Sequence, residues 1–218
     1  SRRTYVLNIS KRLNDKLHLS SAAFGAPQEH SQGKDRLALA DWKMTEQVWG
    51  VKDHKYNPTY GFDSNGKMRS AEYNVYHKPQ LSLNHQWQIN DNSSLSTVLY
   101  MSIGRGYGYS GQANTDYGYS YTDWYGAYKG VMQNKFRKAD GTFAYDEIEA
   151  MNAASTTGSN MIMSQSNNSH EWYGLVSTYK NELLPKKLTL TAGLDIRYYV
   201  GHHNNKIIDL YGGEYYID

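Results

Sequence analysis

Gly106-Tyr107-Gly108-Tyr109-Ser110-Gly111 satisfies GxGxxG, the spacing of a backbone turn that cradles a phosphate, and it follows a strand-like run. A dinucleotide site also needs a helix to begin there inside a βαβ unit. The residues that follow, QANTDYGYSYTDWYG, have no 3.6-residue apolar period, so a flexible exit from a strand into a loop is expected. His202-His203 offers two imidazoles, but adjacent strand residues point to opposite faces and no third ligand sits at a spacing such as HExxH. Asp63-Ser64-Asn65-Gly66-Lys67 opens like a calcium loop, yet Tyr73 and Asn74 stand where the closing acid belongs, and an Asn-Gly turn is expected instead. No GxSxG elbow occurs, and the scattered Asp and Glu pick out no general-acid pair. The expectation is a protein without enzymatic activity, metal or cofactor.

Two groups of residues suggest non-covalent recognition. Asp195 and Arg197 share one face of a strand whose other face is apolar. In a barrel they would face the lumen, pairing with each other or with neighbouring segments, or touching ligand. Tyr117, Tyr119, Tyr121, Trp124 and Tyr125 could stack on sugars or flat chelates, or could pack loops against one another. Tyr107 and Tyr109 lie where a strand enters the same stretch and complete the set of ligand-binding candidates.

Strands must position these side chains. In residues 79–110, Leu81, Leu83, His85, Trp87 and Ile89 alternate with polar residues, then Asn90-Asp91-Asn92 breaks the run. Leu95, Thr97, Leu99, Met101 and Ile103 resume it, which describes a long hairpin apolar on one side. Residues 4–10 and 16–25, around a polar break at 12–15, form a second hairpin. A third comprises 171–181, whose two faces are similarly apolar, a turn at 184–187, and 188–200. In that last strand Leu188, Leu190, Ala192, Leu194, Ile196, Tyr198 and Val200 alternate with Thr189, Thr191, Gly193, Asp195, Arg197 and Tyr199. Long connections at 26–71 and 111–169 separate the hairpins, with helical turns expected near 34–43 and 145–154.

Composition narrows the class. Tyr supplies 21 of 218 residues while mean hydropathy is −0.76, so the chain is polar but rich in amphipathic rings. The net charge of +2 gives no ground for a nucleic-acid partner, and without Cys there are no disulfides. No signal peptide is apparent in the opening residues, and no apolar run reaches helix-spanning length, although alternating strands can also cross a membrane. Connections longer than about 15 residues are rare in compact soluble domains. Short turns alternating with long loops are instead the rhythm of outer-membrane barrels. Trp87, near a short turn, and Tyr107, Tyr109, Tyr198 and Tyr199, near the long loops, fall where interfacial girdles belong. The fold class expected is therefore all-β, a segment of a transmembrane antiparallel β-barrel with about six strands in three hairpins.

Several blocks in order resemble consecutive barrel signatures of Gram-negative TonB-dependent outer-membrane receptors. They are FGAPQEHSQ (24–32), KYNPTYG (55–61), YHKPQLSLNHQW (76–87), SIGRGYG (102–108), HEWYGL (170–175), and GLDIRYYVGHH with DLYGGEYYID (193–218). The resemblance implies a partial barrel domain over residues 1–218, an internal slice of a longer receptor whose plug domain and remaining strands are absent. It implies a cell outer-membrane location and uptake of a small nutrient ligand. The partners it implies are outer-membrane lipid, a surface lipoprotein, and the TonB energy-transducing complex acting through the plug. The alternative is a soluble carbohydrate-binding β-sandwich, in which Leu188, Leu190, Leu194 and Ile196 would form a dry core.

Overall fold

Alternating side chains become long strands in the structure, a computed structural model that describes residues 3–32, 39–52, 55–125 and 134–218. In chain order the first half contains β1 (Tyr5–Arg12), β2 (Leu17–Gly25), β3 (Gln28–Ser31), α1 (Leu39–Trp49), β4 (Tyr60–Phe62), β5 (Met68–Ser70), β6 (Tyr73–His77) and β7 (Gln80–Asn90). Then follow β8 (Ser93–Ala113), α2 (Tyr121–Tyr125), β9 (Phe143–Ala144), α3 (Tyr145–Ala153), β10 (Met161–Leu184) and β11 (Leu188–Asp209). The protein is predominantly β. Its main sheet runs β1-β2-β7-β8-β10-β11, with β6 pairing both β3 and β8. A smaller sheet runs β5-β4-β9, antiparallel between β4 and β5 and parallel between β4 and β9.

Register explains why the main sheet has two unlike faces. Leu7 pairs with Ala23, Ala23 with Leu81, and Leu81 with Met101, so one apolar row crosses four antiparallel strands. Ile9, Ser21, Leu83 and Leu99 make the next row. The three expected short turns are present. Lys16 N–H donates to Asn14 Oδ1 at 2.8 Å, Asn92 N–H to Asn90 Oδ1 at 2.9 Å, and Lys187 N–H to the Leu184 carbonyl at 2.9 Å. The first two are the side-chain bonds by which Asn closes a tight turn, and the third is the main-chain bond of a β-turn.

Contacts divide the chain into two units. The wall unit comprises Ser1–Glu29, Val75–Tyr107 and Asn167–His203; the loop unit comprises His30–Asn74, Gly108–Ser166 and Asn204–Asp218. In the wall unit the apolar row stays open: Leu188, Leu190, Leu194 and Ile196 are 50, 46, 53 and 55% exposed. In the loop unit Trp124, Phe143, Tyr145, Ile148 and Met161 are fully buried. The Trp124 ring stacks on Phe143 at 5.7 Å and lies 5.5 Å from Tyr211, while Tyr145 stacks on Tyr211 at 5.9 Å. The polar atoms of Trp124 and Tyr145 are satisfied as burial demands. Trp124 Nε1 donates to the Gln112 carbonyl at 2.8 Å, and the Tyr145 hydroxyl to the Thr59 carbonyl at 2.6 Å. Asn152 donates to the Met161 and Leu210 carbonyls at 2.7 and 2.9 Å and accepts from Asn160 N–H at 2.9 Å.

Several sequence boundaries are corrected. Among the described residues, the connections expected at 26–71 and 111–169 hold four short strands and three α-helices, and they share a core rather than forming open loops. The first helix is Leu39–Trp49, later than 34–43; residues 34–38 of that expectation lie outside the described residues. The expectation of helix near 145–154 corresponds to α3. β8 continues to Ala113, β10 begins at Met161, and β11 runs past Val200 to Asp209. The 106–111 glycine run therefore lies within a strand instead of leaving one. β1 and β11 end the strand order, so the described strands do not close into a barrel.

Candidate functional site

On β8, Tyr100, Ser102 and Gly104 occupy the face opposite Leu99, Met101 and Ile103. β10 supplies their neighbours. The Tyr100 and Trp172 rings meet edge to face at 5.6 Å, and Ser102 Oγ lies 3.3 Å from His170 Nε2. On β11, Tyr199 stacks on His170 at 5.8 Å, with their planes 25° apart. Two glycines make this close approach possible. A Cβ on Gly104 would sit 2.3 Å from the His170 ring, and one on Gly174 would sit 2.1 Å from the Tyr100 ring. The rings lie over positions where any side chain would collide with them.

These contacts also settle the facing of residues 171–181, which the sequence leaves open. His170, Trp172 and Gly174 lie on the polar face. Tyr173 meets Tyr198 at 6.4 Å on the apolar face, and Ser177 Oγ lies 2.9 Å from Thr97 Oγ1 on that same side. Tyr100, His170 and Trp172 are functional candidates that sequence reasoning missed. The signal was present: Tyr-x-Ser-x-Gly on β8 and His-x-Trp-x-Gly on β10 have the same spacing, each ending on the glycine that a ring from the other strand covers. Trp172 was unhelpful because an indole reads as apolar by type while carrying a polar N–H.

Asp195 and Arg197 lie beside this platform on β11 and pair with each other. Arg197 Nε reaches Asp195 Oδ1 at 3.0 Å, and Nη2 reaches Oδ2 at 2.5 Å. Both are well exposed, so the pair adds little to stability but presents a fixed donor–acceptor fork. The platform thus offers ring faces, an imidazole, a hydroxyl and that fork. This suits reversible contact. The Ser102–His170 contact is long for a nucleophile and its base, and no carboxylate bonds the other imidazole nitrogen among the described residues.

The tyrosine-rich stretch separates into core and surface. Trp124 is fully buried and Tyr125 nearly so; its hydroxyl accepts from Gly111 N–H at 2.7 Å and donates to the Ala71 carbonyl at 3.3 Å. Their place as ligand-stacking candidates is corrected: both ring faces are occupied by the protein. Tyr119 is partly buried, stacked on Phe136 at 6.5 Å with Lys135 Nζ 4.2 Å above its ring. Tyr107 is half-buried in the wall unit, and Tyr109 packs against the loop-unit core with its ring 5.1 Å from Tyr73. Tyr117 and Tyr121 keep exposed rings, 48 and 63% accessible. The seven aromatic candidates therefore do not converge on one site, and the Asp195–Arg197 pair belongs to the wall unit.

The decoy motifs have local explanations. Asp63 Oδ1 accepts from Asn65 and Lys67 N–H at 3.0 and 2.9 Å, and Gly66 takes φ +75°, closing the β4–β5 hairpin. Burial pushes the Asp63 carboxyl up. The Lys67 amide, the Arg69 side chain and the Asn65 amide outweigh it and hold the group below the usual carboxylate range. His203 Nδ1 is bonded to Asn168 Oδ1 at 2.7 Å. Comparison of the chain with protein-family models, with curated proteins and with solved structures finds no match.

Proposed function

We propose that the chain forms part of the wall and external loops of an outer-membrane receptor and transporter that binds a nutrient ligand and takes part in TonB-dependent uptake. The half-exposed row of Leu188, Leu190, Leu194 and Ile196 carries this reading. A protein that buries Trp124 and Tyr145 completely has the means to cover apolar surface, yet leaves this face open. Hydrocarbon is the solvent in which such a face is stable. Strand length supports the same reading: β10 and β11 have 24 and 22 residues, whereas a tilted bilayer crossing needs about 9–11. No helix among the described residues is long and apolar enough to cross a membrane, which bears on helices alone. The TonB complex, the plug, a surface lipoprotein and the nutrient enter through the family resemblance. A soluble carbohydrate-binding sandwich would require those four side chains in a dry core, and their exposure weighs against it.

Cysteine labelling of intact cells with an impermeant thiol reagent tests the proposal. Single cysteines at Ser64 and Thr156, both exposed in the loop unit, are expected to react. Cysteines at Asn92 and Lys186, in the short turns, are expected to react only after the outer membrane is permeabilised. Equal labelling of all four positions would refute a spanning wall.

A further inference from the structure

A pocket of about 430 Å³ lies within the loop unit, built from stretches far apart in sequence. Lys67 and Arg69 come from the β4–β5 hairpin, Tyr73 from β6, Tyr109 from β8 and Asp209 from the end of β11. Arg69 is clamped: Nε donates to Asp63 Oδ2 at 2.9 Å, and Nη1 stands 3.4 Å from Asp209 Oδ2. Its Nη2 has no partner among the described residues, so two donors remain on a guanidinium whose orientation is already fixed. Asp63 is committed to the Asn65 and Lys67 amides as well as to Arg69, which leaves Asp209 as the carboxylate lining the pocket. Lys67 is exposed and makes no ion pair among the described residues. Two cations and one carboxylate therefore line the pocket, while Asp63 pairs with Arg69. The rings of Tyr73 and Tyr109, 5.1 Å apart and tilted by 36°, line the same pocket and add amphipathic surface to it.

We propose that this pocket binds a small organic acid built on a single ring, with its carboxylate on Arg69 and Lys67 and its ring against Tyr73 and Tyr109. A guanidinium already held on two edges loses little freedom when its third edge takes a carboxylate oxygen, so the site is preorganised for that group. The volume lies in the lower part of the range for small-molecule sites and suits one ring with its substituents. A sugar acid and an aromatic acid share this chemistry. The inference deepens the receptor reading by naming a ligand class, and rests on that reading only for its place in uptake.

Binding to the whole chain in detergent is measured by saturation-transfer NMR with D-glucuronate and benzoate, each against its neutral counterpart, D-glucose and benzyl alcohol. At least one acid is expected to bind about tenfold more tightly than its neutral partner. Whichever acid does so identifies the ring as sugar or arene. Arg69→Lys keeps the charge but loses the planar fork, and is expected to weaken that binding by about tenfold. Lys67→Gln, at an exposed position with no ion pair, is expected to weaken it by about threefold without changing the melting temperature. Neutral and acidic probes binding alike, neither acid binding, or Lys67→Gln without effect would overturn the proposal. Because binding is read in detergent and topology in cells, an empty pocket with correct surface labelling refutes this inference alone.

Discussion

At Asp63, burial and hydrogen bonding pull the carboxyl in opposite directions, and hydrogen bonding prevails. Its folded pKa lies below the unfolded value of about 3.9, so the stabilisation it brings is complete above that value. That stabilisation is lost as pH falls through the folded pKa. The protection of the Asn65 and Lys67 amides from exchange, relative to the free amide at the same pH, is expected to stay high at neutral pH and to fall below about pH 3.9. In Asp63→Asn this acid step should vanish, because an amide side chain does not titrate. An unchanged acid step in the variant would mean that another group controls the hairpin. Tyr145 and Tyr211 illustrate burial prevailing: desolvation pushes both phenols up, so both stay neutral at physiological pH and the Tyr145 hydroxyl stays a donor.

Among the elements, β11 gives the cleanest separation of faces. Leu194→Arg puts a charge on the open apolar row and is expected to destabilise the assembled protein by about 2–4 kcal/mol if that row meets hydrocarbon. Asp195→Asn, one residue away on the polar face, should leave assembly intact. Heat-modifiable gel mobility and outer-membrane yield read both changes, and normal assembly of Leu194→Arg beside failure of Asp195→Asn would show the strand to be inside out. The facing of β11 over 188–200 was legible because its apolar residues recur every second position. Its continuation was not, since Gly201, His202, His203, Asn204 and Asn205 are polar or small on both faces and erase the alternation. The start of β10 was hidden for the opposite reason. Met161, Ile162 and Met163 are all buried, so both sides of that strand read as apolar. The polar platform was only half visible: Asp195 and Arg197 stood out by charge, whereas His170 becomes informative only once Gly104 is known to lie beneath it.

For the molecule as a whole, two sheet edges unpaired among the described residues and an open apolar row predict the behaviour of the isolated chain. β1 and β11 end the strand order, and their free N–H and C=O groups are available to other chains. In plain buffer the chain is expected to self-associate, and detergent above its critical micelle concentration should reduce the association. Light scattering of both preparations checks this; a monodisperse, cooperatively melting monomer in plain buffer would speak for the soluble sandwich. The loop unit has a different whole-chain property. The Tyr145 hydroxyl bonds to Thr59, 86 positions earlier, and Asn152 bonds to Leu210, 58 positions later. Trp124 is sealed in part by Tyr211. During synthesis the early tyrosine-rich segments therefore emerge long before the residues that cover them. A chaperone that shields aromatic side chains has its natural window in that interval, and a premature stop before Tyr211 would leave Trp124 without its lid however well the preceding strands had formed.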